Sequence, residues 1–513
     1  MLFVPLAIRI YPPWLVGFLS GAYVRMLHMD ADIEIRKEIE GKNISYIHFD
    51  RRIKLTNHLW CCITNKQWVL RHGFYPFIHF KRPKYHKSWS TDSSGKRIWK
   101  DEGPKYRDIL YAAHKDAWIY RYYGALFNRK YNRYLGNRNI DDCSIAYRTN
   151  KKGKSNISFA EEALAFIKFH KPCYVIIGDF THFFDFLDHA YLLNQIRYVL
   201  DSQYIPDDIY YVLNSLLHYS YVDYEGITSY KGMTHQQLCQ CQTVLTNQEF
   251  RILSRKKQRE SKDDKFIIKV NREHFGIPQG SPMSGVLANI YMIQFDEKIF
   301  ELVRSYHGIY RRYSDDFIIA IPEKYITEEQ YQQMIHQLQG IFNQRNTNTG
   351  KYLVKLSPEK TKKYRVSANL IIYNEQKEHG IISFLGFSYD GKRVYIKDSS
   401  VRRYYSHAYS KADHVVKQNV QLSQLKKNKR RTTNLYTLYS ISGLYRNSSK
   451  SKRGSNFPVY SQRAHFIFQK NFKSENQTGL VAQRHMRQLR KRLNSEYSAV
   501  GVPPVRQGVP FVR

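Results

Sequence analysis

Apolar positions along this chain follow two different periods. From Tyr111 to Tyr134, the residues Trp118, Ile119, Tyr122, Leu126, Phe127 and Tyr131 recur at helical spacing, and Leu187 to Leu200 and Glu328 to Asn343 read the same way. Pro282 to Val303 predicts a helix with Val286, Ile290 and Ile293 on one face. Tyr174 to Gly178 is a short β-branched run that predicts a buried strand ending at Asp179. Ile309 to Tyr313 and Phe317 to Ile321 predict two strands separated only by Ser314-Asp315-Asp316, a hairpin with two carboxylates at its tip. Further strands are expected around Ile381 to Phe387 and Arg393 to Ile396, with Asp390-Gly391 as the turn. Residues 30–105 read as short apolar runs broken by basic, aromatic loops such as Phe80 to Lys87, and Tyr221 to Lys269 reads as polar and irregular.

Composition narrows the partner. The chain has 513 residues, 42% of them apolar, enough for a large core. Its 81 Lys and Arg outnumber 44 Asp and Glu, a formal charge of +37 that calls for a polyanion, and nucleic acid is the expected one. No basic amphipathic helix with a clean apolar face is evident, so no membrane partner is expected. None of Cys61, Cys62, Cys143, Cys173, Cys239 and Cys241 forms a Cys-x-x-Cys pair, which gives no zinc module and fits a reducing cytoplasm. Ile10 to Val24 is apolar but short for a bilayer span and carries Pro12 and Pro13, and translation could instead start at Met26 or Met29.

The candidate chemistry lies in the carboxylates. Adjacent acids repel, and placing them between apolar strands adds desolvation, so a cation is expected beside Asp315 and Asp316. A solvated Asp-Asp turn is the bland reading of that pair. A second strand that ends in an acid, Asp179, changes the reading to a polymerase palm. There two Mg²⁺ ions, for which Mn²⁺ could substitute, would be bridged by Asp179, Asp315 and Asp316.

The ordered segments extend the case. Asp179, then Gly276-Ile277-Pro278-Gln279-Gly280-Ser281-Pro282, then Tyr313-Ser314-Asp315-Asp316 resemble palm motifs of reverse transcriptases. Leu356-Ser357-Pro358-Glu359-Lys360-Thr361 and Phe384-Leu385-Gly386-Phe387 continue the series, which spans about residues 105–400. The resemblance implies an α+β right-hand fold: fingers over 106–170, a palm over 171–397 with the irregular 221–269 insertion, and a helical basic thumb over 398–513, after an N-terminal extension over 30–105. By the same resemblance, Lys360 would protonate the leaving pyrophosphate. Phe180, Gln279, Gly280 and Tyr313 would line the nucleotide pocket, and Phe184 would exclude the ribose 2′-hydroxyl so that dNTPs are used. Ala146-Tyr147-Arg148 resembles a fingers strand whose Arg148 reaches the triphosphate, with Arg107 as a second candidate.

His72 to Ile78, Tyr111 to Asp116, Gly276 to Met292, Arg402 to Tyr405 and Asn456 to Ala464 resemble the bacterial "unknown group" lineage of defence-associated reverse transcriptases. That resemblance implies RNA as template, a dedicated non-coding RNA partner, a cDNA product and a role against phage, with a homo-oligomer as a further expectation. A template-limited enzyme making low-complexity DNA and a catalytically silent RNA-binding scaffold remain open beside it. Lys426, Lys427, Lys429, Arg430 and Arg431, followed by Tyr436, Tyr439 and Tyr445, are the candidate RNA-binding surface. Tyr497, expected on a mobile tail, is one candidate for a protein hydroxyl that primes DNA synthesis.

Overall fold

The computed structural model describes residues 32–41, 46–91, 97–255, 268–424, 435–441 and 456–500. The apolar N-terminal stretch and the Lys426 to Arg431 cluster lie outside the described residues. The described chain is α+β, with antiparallel pairing dominant in three sheets among the described residues. Its strands are β1 (Phe77–Thr91), β2 (Arg97–Tyr111), β3 (Cys173–Asp179), β4 (Ser220–Asp223), β5 (Lys269–Val270) and β6 (Ile309–Tyr313). They continue with β7 (Asp316–Pro322), β8 (Lys362–Val366), β9 (Ile372–Asn374), β10 (Ile382–Phe384), β11 (Phe387–Tyr389) and β12 (Val394–Ile396).

The sheet that carries the site runs β6-β7-β3-β8-β9, with β3 at its centre. Because β3 and β7 are covered on both faces, they read as continuous apolar runs rather than alternating ones. Tyr174 and Ile176 of β3, with Phe317, Ile319 and Ile321 of β7, face one core, shared with helices His114–Asn137, Ile293–Arg304 and Glu328–Phe342. Cys173, Val175, Ile318 and Ala320 face a second core with helix Asn156–Phe169, helix Phe457–Phe472 and strands β10 to β12. Gly178 has a packing reason: a Cβ there would stand 2.2 Å from the Phe317 ring.

Two sequence readings need correction here. Phe80 to Lys87 is not a loop but part of the long β1–β2 hairpin, whose register runs from Ile78 opposite Tyr111 to Thr91 opposite Arg97. Tyr221 to Lys269 is not irregular over its described part. It forms helices Tyr224–Lys231, His235–Gln240 and Asn247–Arg255, and β4 adds to β1 in parallel. Ile227, Leu238, Val244 and Leu245 make a small core with Phe49, Ile78 and Val222, a burial that polar-rich local sequence does not advertise. The expected helix over Pro282 to Val303 is two, Ser284–Tyr291 and Ile293–Arg304, which meet at Met292.

In the C-terminal region, helix Asp398–Gln424 packs along helix Leu480–Ala499 around Ala408, Ala412, Val415 and Leu489. Arg492 clamps Asp413 through two bonds of 2.9 and 2.8 Å. Tyr497 is therefore not on a mobile tail: it is buried on the second helix, and its hydroxyl accepts a 2.9 Å bond from Asn419. No described helix is long and apolar enough to cross a membrane.

Candidate functional site

Strand register brings the three aspartates to one end of the central sheet. Asp179, the last residue of β3, sits directly opposite Asp316, the first of β7, and Asp316 in turn faces Tyr313 across the β6–β7 hairpin. Ser314 and Asp315 form the turn, with Ser314 in the left-handed region at φ 60°, a geometry that normally favours glycine. The Phe180 amide donates to the Asp315 carbonyl at 3.1 Å, tying the end of β3 to that turn. On the other side the Ser357 amide donates to the Asp179 carbonyl at 2.8 Å and the Thr181 amide to the Lys355 carbonyl at 2.8 Å. These bonds seat the loop bearing Lys360, whose ammonium is paired with the Asp179 carboxylate.

The electrostatics are those of crowded acids. Burial, then the neighbouring Asp179, raises the Asp315 carboxyl above its ordinary range. Burial, then Asp315 and Asp179, pushes Asp316 up to about 7, against the pull of Lys360 and Lys397. Asp316 is also open to solvent at the rim, so screening by water moderates that push. Among the described residues no group of three or more His, Cys, Asp or Glu stands close enough together to hold a metal ion as arranged here. The donor chemistry nevertheless suits a hard divalent cation: carboxylate oxygens only, mutually repelling, with an ammonium already neutralising one of them.

Beneath the turn lies a buried network that sequence reasoning missed. Arg312, fully buried, bonds Asp296, also fully buried, through Nε–Oδ1 at 2.8 Å and Nη2–Oδ2 at 2.5 Å. The Tyr310 hydroxyl donates to the same carboxylate at 2.8 Å. Arg312 then donates to the Ser314 carbonyl at 3.0 Å, to Asn289 at 3.2 Å and to the Ser144 hydroxyl at 3.3 Å. Burial alone would lower the Arg312 pKa, but Asp296 more than offsets it and holds the guanidinium charged. The signal was present as an arginine on the same face of β6 as Tyr310, two residues before the turn, whose partner is fixed only by tertiary contact.

The remaining predicted residues divide. The Gln279 carbonyl accepts from the Leu110 amide at 2.7 Å, which docks this loop on β2. Gly280, at φ 114°, lets the chain pass where a Cβ would lie 2.7 Å from the Leu110 carbonyl. Phe184 is half-buried, its carbonyl accepting from the Ile277 amide at 3.0 Å, so it stands beside the Gln279 loop. Arg107, on β2, is exposed. Tyr313 is half-buried, its ring 6.3 Å from that of Tyr147, which is itself exposed and lies over Gly285.

Two assignments need correction. Phe180 does not line a nucleotide pocket with its ring, which is 2% exposed among Phe183, Phe317 and Phe342; it contributes its backbone amide to the turn. Arg148 does not reach outward, and Ala146 to Arg148 is not a strand. Its buried guanidinium is engaged by Asp141, the Ser144 carbonyl and Asn132 while Tyr147 takes a left-handed φ of 56°. The side chain is held by nearby acceptors that a strand would have carried away.

No family model matches the chain. No curated protein matches it either. Among solved structures it is similar to apo telomerase from Candida tropicalis truncated from its C-terminal domain, at 13% identity and a TM-score of 0.33, covering 67% of this chain and 61% of that one. It is also similar to telomerase from Candida albicans in complex with a TWJ fragment of telomeric RNA, at 10% identity, TM-score 0.34, covering 95% and 69%. A third likeness is to the BmCPV RNA-dependent RNA polymerase at its elongation state, at 9% identity, TM-score 0.36, covering 72% and 28%. The chain thus spans less than two thirds of the truncated telomerase. These are loose likenesses of shape, and the functional reading rests on the site itself.

Proposed function

We propose that this chain is an RNA-directed DNA polymerase that extends a 3′-hydroxyl with dNTPs at Asp179, Asp315 and Asp316. The observation that carries the reading is the register that puts Asp179 opposite Asp316, with Asp315 in the adjoining turn, at the end of two central strands, β3 and β7, that are otherwise apolar on both faces. Two Mg²⁺ ions held by these carboxylates would supply Lewis-acid activation of the attacking hydroxyl and charge stabilisation on the phosphates. In nucleotidyl transfer the 3′-oxygen bonds the α-phosphorus as the bond to the bridging oxygen breaks and pyrophosphate leaves. Lys360 is 65% exposed beside Asp179, and freed from that carboxylate it would give pyrophosphate a proton. Phe184, standing beside the Gln279 loop, is the residue that would reject a ribose 2′-hydroxyl. The template is RNA, supplied as a dedicated non-coding RNA, and the cDNA serves defence against phage; sequence resemblance supports this part.

The test is a primer-free extension assay on protein purified with its co-bound RNA, in Mg²⁺, with each dNTP and each NTP offered separately. An Asp315→Ala/Asp316→Ala variant serves as control, and the product is sequenced. DNA product lost in the control supports the reading; product from NTPs, or product that survives in the control, overturns it.

A further inference from the structure

A groove of about 1110 Å³ opens between the C-terminal half of helix His114–Asn137 and helix His189–Leu200 with the turn that follows it. It shares no residue with the site described above. Its volume lies above the roughly 300–1,000 Å³ of ordinary small-molecule pockets, which suits a stretch of polymer better than a metabolite.

The lining has a consistent chemistry. Lys130, Arg133, Arg138 and Arg197 line it with Asp201 as the one acidic lining residue among the described residues, so the groove is cationic. The Arg138 guanidinium lies 4.8 Å over the Tyr134 ring, and Glu297 receives both Arg138, at 3.3 Å, and the Tyr134 hydroxyl, at 3.0 Å. Tyr198 is 52% exposed. An aromatic ring left in water beside arginines is a platform for a planar partner.

A second observation points to a ligand. Gln195 also lines the groove, is 1% exposed, and its Oε1 is buried without a hydrogen-bond partner. An acceptor left unsatisfied in the interior is costly, so a donor entering the groove is favoured to draw the Gln195 side chain round and pair with it.

We propose that this groove binds single-stranded RNA. An unpaired base stacks on Tyr198, its exocyclic amine donates to Gln195 Oε1, and Arg133 and Arg197 take the flanking phosphates. Adenine, cytosine and guanine carry such an amine and uracil does not, so the groove discriminates against uridine. The proposal needs only that the chain meets RNA, and it stands or falls apart from the polymerase chemistry.

The experiment uses the full chain in an Asp315→Asn background, so that turnover does not interfere, with fluorescein-labelled oligo-A, oligo-C and oligo-U RNA and oligo-A DNA. Fluorescence anisotropy gives affinity against salt, and ultraviolet crosslinking with peptide mass spectrometry gives the contact. Crosslinks at Tyr198 are expected, with oligo-A and oligo-C bound more tightly than oligo-U. Tyr198→Ala should weaken binding about tenfold while Tyr198→Phe retains it, as stacking requires. Arg197→Ala should reduce the slope of log affinity against log salt by roughly 0.7. Unchanged affinity in both alanine variants with crosslinks elsewhere overturns the proposal, and equal binding of DNA overturns its assignment to RNA. Extension activity measured separately on the unmutated chain shows whether the polymerase reading fails independently.

Discussion

Replacing Asp296 by Asn removes the charge that holds Arg312 beneath the Ser314-Asp315 turn. Both side chains are fully buried, so the guanidinium is left charged in the core with one fewer ionic partner. Breaking a buried pair from one side costs about 3–5 kcal/mol, a large part of the roughly 5–15 kcal/mol that holds a protein folded. The bond from Arg312 to the Ser314 carbonyl, charge-assisted at 3.0 Å, accounts for about 1.5–3 kcal/mol of the turn's own stability. Losing it frees a residue at φ 60° to relax and carries Asp315 with it. A displacement near 1 Å at reacting groups costs on the order of a hundredfold in rate.

The informative comparison is between singles and a double. Arg312→Met with Asp296→Leu removes both charges together, so thermal melting should place the double above either single variant. Extension activity should stay low in all three, because the Ser314 carbonyl has lost its donor in each variant that lacks Arg312, or has a disordered one where Asp296 is gone. Melting temperatures and extension rates measured in parallel decide the matter. A double variant with wild-type rate, or an Asp296→Asn variant that melts like wild type, would refute the argument that this pair positions the turn.

Phe184→Ala should admit NTPs, raising ribonucleotide incorporation relative to dNTPs by tenfold or more if about 1.4 kcal/mol of steric exclusion is lost; single-nucleotide extension with each NTP measures it, and unchanged discrimination would place the gate elsewhere. Asp316, held up to about 7, favours folding while protonated, and that contribution is lost as pH rises from near 4 through 7 in metal-free protein. Added Mg²⁺ should therefore raise the melting temperature more at pH 8 than at pH 6, since ligand carboxylates must be deprotonated, and equal shifts would count against Asp316 as a ligand. Gly178→Ala should displace Phe317 and lower stability by about 1–3 kcal/mol, read as a melting shift with loss of extension; a variant with wild-type melting would mean the ring moves freely.

What the sequence by itself determined were the features written in local pattern. Strand β3 ending at Asp179, the β6–β7 hairpin with its carboxylates, and the helix over Glu328–Phe342 follow from periodicity and turn chemistry, and the observed bounds differ from the expected ones by a residue or two. The tertiary structure alone decided which side chains those elements place where. Phe180 directly follows Asp179 and Arg148 carries the charge a triphosphate would need, yet burial among Phe183, Phe317 and Phe342 takes one, and Asp141 takes the other. Tyr497 lost its freedom to helix packing and Asn419, and the polar 221–269 segment gained strands and helices from a core lent by Ile47, Phe49 and Ile78. Arg312 and Asp296, sixteen residues apart, meet only when a helix and a strand close on each other. Local pattern fixes backbone state because propensity and turn geometry act over a few residues, whereas the partner of a buried charge is set by long-range packing.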